Sequence, residues 1–138
     1  MTAQLFMLDT DTCIFLMRCE SPNLAARVQT VPLQQQAMSA VTFAELTYGV
    51  QASAPAKRKQ NQAVLDSLAL HLVVLDWPQE AAKHYAEIRA DLKKRGAQIG
   101  AADLMIAAHA RALGAIVVTN SVKDFGRVKG LQVENWTK

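Results

Sequence analysis

The run Ala115-Ile116-Val117-Val118-Thr119 leaves this chain few folds to choose from. It is too short for a helix core, rich in β-branched residues and continuously apolar rather than alternating, the pattern of a strand covered on both faces. Leu5-Phe6-Met7-Leu8 and Leu72-Val73-Val74-Leu75 read the same way. Ala37–Val41 is a weaker candidate, because Ala and Ser suit a pleated surface poorly, and Val133 marks a short last strand. Helix-compatible segments lie between them: Cys13–Met17, Asn23–Thr30, Thr42 to about Gly49, Gln60–Leu72, Gln79–Arg95 and Ile99–Gly114. Ser21-Pro22 is a helix-start signal, and Gly96 sits in the C′ position after three cations. Strands alternating with helices predict an α/β fold: a mostly parallel sheet of about four to five strands with helices on both faces.

With 138 residues and no linker, repeat or low-complexity tract, the chain reads as one domain, 1–138. A hydrophobic fraction of 51% with 20% charged residues argues against disorder. No apolar stretch approaches the length of a membrane span, and the N-terminus lacks the basic region and long apolar run of a signal peptide, which points to a cytoplasmic protein. Cys13 and Cys19 stand six apart, not a zinc-ligand spacing, and are expected as buried free thiols. The formal charge of +3 allows nucleic acid as a partner without requiring it. Cations concentrate at Lys57-Arg58-Lys59, at Lys93-Lys94-Arg95 and over Lys123, Arg127 and Lys129.

Four carboxylates sit where apolar runs end or helices begin: Asp9, Glu45, Asp103 and Asp124. Each has a local explanation. Asp9, like Thr10 and Asp11, can cap the following helix. Thr42-x-x-Glu45 has the form of a capping box, Asp103 falls in a first helical turn where the macrodipole favours an anion, and Asp124 follows a polar turn. Together they say more. If the strands are parallel neighbours, the four converge at one end of the sheet, where open α/β sheets bind ligands. Such a cluster repels itself unless a cation neutralises it. Oxygen ligands without His or Cys select a hard ion, Mg²⁺ or Mn²⁺. An ion held there can lower the pKa of a water and stabilise a leaving oxygen, the chemistry that phosphodiester hydrolysis needs.

Several short blocks resemble PIN-domain ribonucleases, and within them the VapC toxins of bacterial VapBC toxin–antitoxin pairs. They are Leu8-Asp9-Thr10, Thr42-x-x-Glu45-Leu46-x-Tyr48-Gly49, Ile99-Gly100-x-x-Asp103-x-x-Ile106-Ala107-x-His109-Ala110, Val118-Thr119-Asn120 with Asp124-Phe125, and the closing Leu131-x-Val133-Glu134-Asn135-Trp136. The resemblance implies a three-layer α/β/α sandwich and a Mg²⁺- or Mn²⁺-dependent endoribonuclease acting on RNA, often structured RNA such as tRNA. It implies Asp9, Glu45 and Asp103 as acidic ligands, and Asp124 as the fourth, with Thr10, Asp11, Thr119, Asn120 and Ser121 as polar neighbours. It also implies a VapB-type antitoxin, a toxin homodimer and a larger toxin–antitoxin assembly. Lys123, Arg127 and Lys129 are expected phosphate contacts, which confer affinity rather than sequence choice. Asp11 departs from the family, which usually carries Asn there, and is expected near the metal without being its primary ligand.

Two other readings compete. Asp9-Thr10-Asp11-Thr12-Cys13 resembles the opening of haloacid-dehalogenase-like phosphatases, with Asp9 as nucleophile and Asp11 as acid/base, although Cys13 stands where Thr or Val is expected and too little chain follows Thr119 for the later motifs. A non-catalytic binding module would use the acids only as caps. The histidines His71, His84 and His109 are expected to pack or face the surface, and Trp77 and Trp136 to anchor the core.

Overall fold

The computed structural model describes residues 3–138. Five short strands, β1 (Phe6–Leu8), β2 (Gln36–Ser39), β3 (Val73–Leu75), β4 (Ile116–Val118) and β5 (Val133–Glu134), form one sheet in the order β3-β2-β1-β4-β5, every pair parallel. Helices α1 (Thr10–Met17), α2 (Pro22–Thr30), α3 (Ala40–Gln51), α4 (Pro55–His71), α5 (Ala81–Lys94), α6 (Ala101–Leu113) and α7 (Val122–Phe125) connect them. The chain steps from β1 outward to β3, then returns to lay β4 on the other side of β1. That reversal is a topological switch point, and crevices of parallel sheets open there.

Period-two alternation divides the core. Met7 and Val117 face a layer built with Ile88, Leu92, Leu104, Ile106 and Phe125. Their neighbours Leu8 and Val118 face the opposite layer, with Leu24, Met38, Leu46, Leu65 and Trp136. Both faces are therefore covered, which is why these strands are continuously apolar. Gly114, at φ 67, ends α6 in the left-handed conformation and turns the chain directly into β4.

Two element boundaries differ from expectation for local reasons, and one cysteine differs in burial. The second strand is Gln36–Ser39 rather than Ala37–Val41, because the Ser39 hydroxyl accepts from the Val41 amide and starts α3 early. Gln36 can enter a buried strand because its amide donates to the carbonyls of Val28 (2.8 Å) and Val31 (2.7 Å). The fourth helix begins at Pro55, with proline in its first turn, not at Gln60. Both cysteines are free, but only Cys13 is buried; Cys19, expected inside, is exposed just beyond α1. Burial raises the Cys13 thiol pKa and keeps it protonated.

Candidate active site

The carboxyl ends of β1 and β4 lie side by side, and the residues that follow them meet. Asp9 is the residue after β1, 1% exposed, with both carboxylate oxygens occupied. Oδ1 accepts from the Thr12 backbone amide at 2.9 Å and so caps α1; Oδ2 accepts from the Thr119 hydroxyl at 2.5 Å. Thr119 itself follows β4 and accepts from the Ser121 amide at 2.8 Å. Thr12 completes the joint, its hydroxyl donating to the Val118 carbonyl at 3.1 Å. Asp9 is thus both a helix cap and a bridge across the switch point. Burial nonetheless raises its pKa, the neighbouring Asp11 adds to the rise, and the three hydrogen-bond contacts with Thr119 and Thr12 oppose it.

Glu45 is not part of a capping box. The helix it occupies is already capped at Ser39, and its Oε1 instead accepts from the Thr10 hydroxyl at 2.5 Å, across from α1. Thr10 also lies 3.3 Å from the Thr42 hydroxyl. A capping box would have turned Glu45 back on its own helix; the cross-helix bond turns it toward Asp9's end of the sheet. Asp103 stands in the first turn of α6, partly buried. Its carboxyl is pushed up from 3.8 to about 6, first by burial and then by the charges of Asp9, Asp11, Glu45 and Asp124. Four other carboxylates therefore bear on Asp103, and Asp11, on the exposed side of α1, is one of them.

Asp124 bears on Asp103 as well, from a different element and with a cation of its own beside it. It lies in the short α7, and Arg127 approaches it at 3.6 Å. The cations expected to meet phosphate are drawn into local pairs: Arg127 with Asp124 and the Gln98 carbonyl, Lys129 with Asp91 at 3.5 Å. Lys123 makes no ion pair among the described residues. Asn120 has both side-chain amide atoms shut away from solvent without a partner. Ser121 meets Thr119 through its backbone.

Among the described residues no three Asp, Glu, His or Cys side chains close tightly around a single point. A hard cation such as Mg²⁺ takes only one or two protein carboxylates and completes its octahedron with waters and substrate phosphate, so a closed cage of three is not required. The donor set agrees: carboxylates, threonine hydroxyls and an unsatisfied amide, all oxygen or amide groups, with repulsion that a divalent charge would relieve. The residues present fit such an ion.

The model of the PIN domain matches residues 6–131. This chain belongs to the PIN-domain family. Within it the chain is similar to full-length VapC proteins: 38% identical over 131 residues to the tRNA(fMet)-specific endonuclease VapC of Salmonella typhimurium, covering 95% of this chain and 97% of that one. It is 36% identical over 135 residues to Ribonuclease VapC2 of Rickettsia felis, covering 97% and 99%. Among solved structures, DNA-bound VapBC from Salmonella typhimurium superposes with a TM-score of 0.90 at 36% identity, covering 97% of this chain and 99% of the VapBC chain. This PIN-domain membership removes the phosphatase reading.

One prediction follows from the Thr119 bridge. Thr119→Val removes the donor to Asp9 and the acceptor for the Ser121 amide at once. We expect a loss of about 1–3 kcal/mol in urea unfolding, the usual cost of leaving buried polar groups unpaired. Thr119→Ser should recover most of it; equal stability of the Val variant and the wild type would show the bridge to be idle.

Proposed function

We propose that the chain is a Mg²⁺- or Mn²⁺-dependent endoribonuclease, the toxin of a VapBC-type pair, that hydrolyses phosphodiesters in structured RNA. What supports it is that Asp9 directly follows β1, Glu45 is hydrogen-bonded to Thr10 beside it, and the charges of Asp9, Asp11, Glu45 and Asp124 all bear on Asp103. Asp9 and Asp103 would hold the ion, with Glu45 and Asp124 completing its surroundings. When bound, the ion lowers the pKa of a water and offsets charge developing on the phosphodiester.

The protein's own groups supply order. Thr119 and the Thr12 amide hold the Asp9 carboxylate in one orientation, and Thr10 fixes Glu45. An ion held there would keep Asp103 ionised at neutral pH, leaving a carboxylate oxygen to accept a hydrogen bond from a water and orient it. Lys123, Arg127 and Lys129 flank Asp124 and meet phosphates of the incoming strand, the last two by exchanging their intramolecular partners. Such contacts set affinity, not sequence.

Regulation by a protein partner agrees with the structural neighbours, which are complexes of VapC with VapB. A cleft of about 270 Å³ lined by Ile14, Met17, Leu46, Val50 and Val64 runs up to Glu45, with Arg18 on its wall. An antitoxin segment laid in it would reach the carboxylates. A toxin homodimer within a larger assembly is part of the same reading. No helix among the described residues is long and apolar enough to cross a membrane.

The test is cleavage of labelled tRNA by the purified chain with Mg²⁺, with Mn²⁺, and with EDTA. Cleavage should require the metal, return on its addition, and disappear in Asp9→Ala. Cleavage that persists in EDTA and in Asp9→Ala overturns the proposal.

A further inference from the structure

His109 is fully buried, yet it lies on the helix that carries Asp103 and is outside the carboxylate group. Its Nδ1 shares a hydrogen bond of 2.9 Å with the Ser39 hydroxyl, seventy residues away in the chain, while its Nε2 is buried without a partner. A core position that needed only volume would be filled by Leu or Met at no polar cost; an imidazole with one nitrogen unsatisfied carries a desolvation penalty. Burial also lowers the ring's pKa and keeps it neutral.

The partner explains what the penalty secures. Ser39 is the last residue of β2 and the cap of α3, its Oγ accepting from the Val41 amide at 3.1 Å. The bond therefore ties α6 to the point where α3 begins. Glu45 lies six residues beyond Ser39 and Asp103 six residues before His109, about 9 Å along each helix at 1.5 Å per residue. Glu45 and Asp103 repel each other, so nothing between the carboxylates themselves draws the two helices together.

We infer that His109 is a positioning residue: through Ser39 it sets the spacing of α6 against α3, and hence of Asp103 against Glu45, and so sets the site's affinity for a hard divalent ion. The inference rests on the metal-dependent reading above and adds to it a residue that touches neither ion nor RNA. A His109 with only a packing role would lower the melting temperature on substitution and leave the folded protein's ion affinity unchanged.

The experiment is Mn²⁺ binding to the full chain, measured by the EPR signal of free Mn²⁺ well below the melting temperature, in wild type, His109→Leu, His109→Asn, Ser39→Ala and the double variant His109→Leu with Ser39→Ala. Asn carries an amide that can donate or accept near the place of Nδ1; Leu cannot. His109→Leu should bind about tenfold more weakly and His109→Asn within about twofold of wild type. Ser39→Ala should also weaken binding, with His109→Leu adding no further loss in that background, the signature of one shared interaction. Unchanged affinity in His109→Leu, or a loss that Asn does not restore, overturns the inference and leaves the nuclease reading standing. If His109→Leu does not fold, unchanged affinity in Ser39→Ala overturns it instead. A wild-type chain that binds no Mn²⁺ overturns both.

Discussion

Asp103→Asn should abolish RNA cleavage and, in the absence of metal, melt at a higher temperature than the wild type. The loss of activity should be on the order of 10³-fold or more, since even partners that only orient metal ligands are worth 10–100-fold. The gain in stability comes from the same carboxylate. Its charge is half-buried and faces Asp9, Asp11, Glu45 and Asp124, so a neutral amide of the same shape relieves repulsion and desolvation together. After allowing for the part that water screens, about 1 kcal/mol remains at neutral pH, or a rise of about 3–5 °C for a chain of this size. Activity and stability moving in opposite directions is the expectation for a functional carboxylate that the fold tolerates at a cost. A lower melting temperature would mean that Asp103 holds its helix by an interaction that Asn cannot replace.

Asp9 should behave differently, because its oxygens do structural work as well. Asp9→Asn keeps an acceptor for the Thr12 amide and removes a buried charge, so the metal-free fold should stay within about 1 kcal/mol of wild type. Asp9→Ala loses the cap and strands the Thr119 hydroxyl, and should cost about 2 kcal/mol. Thermal melts in EDTA separate the two. Equal losses in both would assign the cost to charge rather than to hydrogen bonding.

How far this was legible from the residues depends on the range of the interaction that decided each point. Asp9 was legible because an apolar run ending at a carboxylate is a local signal, and β1 does end there. The parallel order of the sheet was legible as a class, from continuous apolar strands separated by helices. Glu45 was ambiguous, since Thr42-x-x-Glu45 fits a capping box at any helix start. What resolved it was the Ser39 cap, six residues upstream, and the Thr10 hydroxyl, thirty-five residues away. Neither is encoded in the spacing of Thr42 and Glu45. The pairing of Arg127 with Asp124 and of Lys129 with Asp91 also needed the fold, because a run of cations does not reveal which anions the chain folds against it. His109 was read correctly as packed. Its bond to Ser39 joins two segments that only the sheet brings together, and no local pattern announces it.

The same electrostatics predict that a divalent ion stabilises the fold strongly at pH 7.5 and hardly at all at pH 5. Asp103 has an ordinary value of 3.8 when unfolded and about 6 in the metal-free fold. Between those values the folded state holds more proton than the unfolded one. Stability from this group is therefore fully present below about pH 4 and is lost as pH rises through about 6. Asp9, also raised, acts with the same sign. Asp91 acts oppositely: its hydrogen bond from Arg95 lowers its pKa, so its contribution disappears in stronger acid and sets a lower limit to the trend. Without metal, the melting temperature should thus climb as pH falls from 7.5 toward 5. Mn²⁺ replaces the proton as the neutralising charge. At one hundred times its dissociation constant it should contribute about 2.7 kcal/mol at pH 7.5. At pH 5 protons compete for the same carboxylates, and most of that gain should vanish. Melting curves with Mn²⁺ and with EDTA at the two pH values provide the check, and Asp103→Asn should flatten both the pH trend and the metal response. An equal Mn²⁺ shift at both pH values would place the bound ion away from these carboxylates.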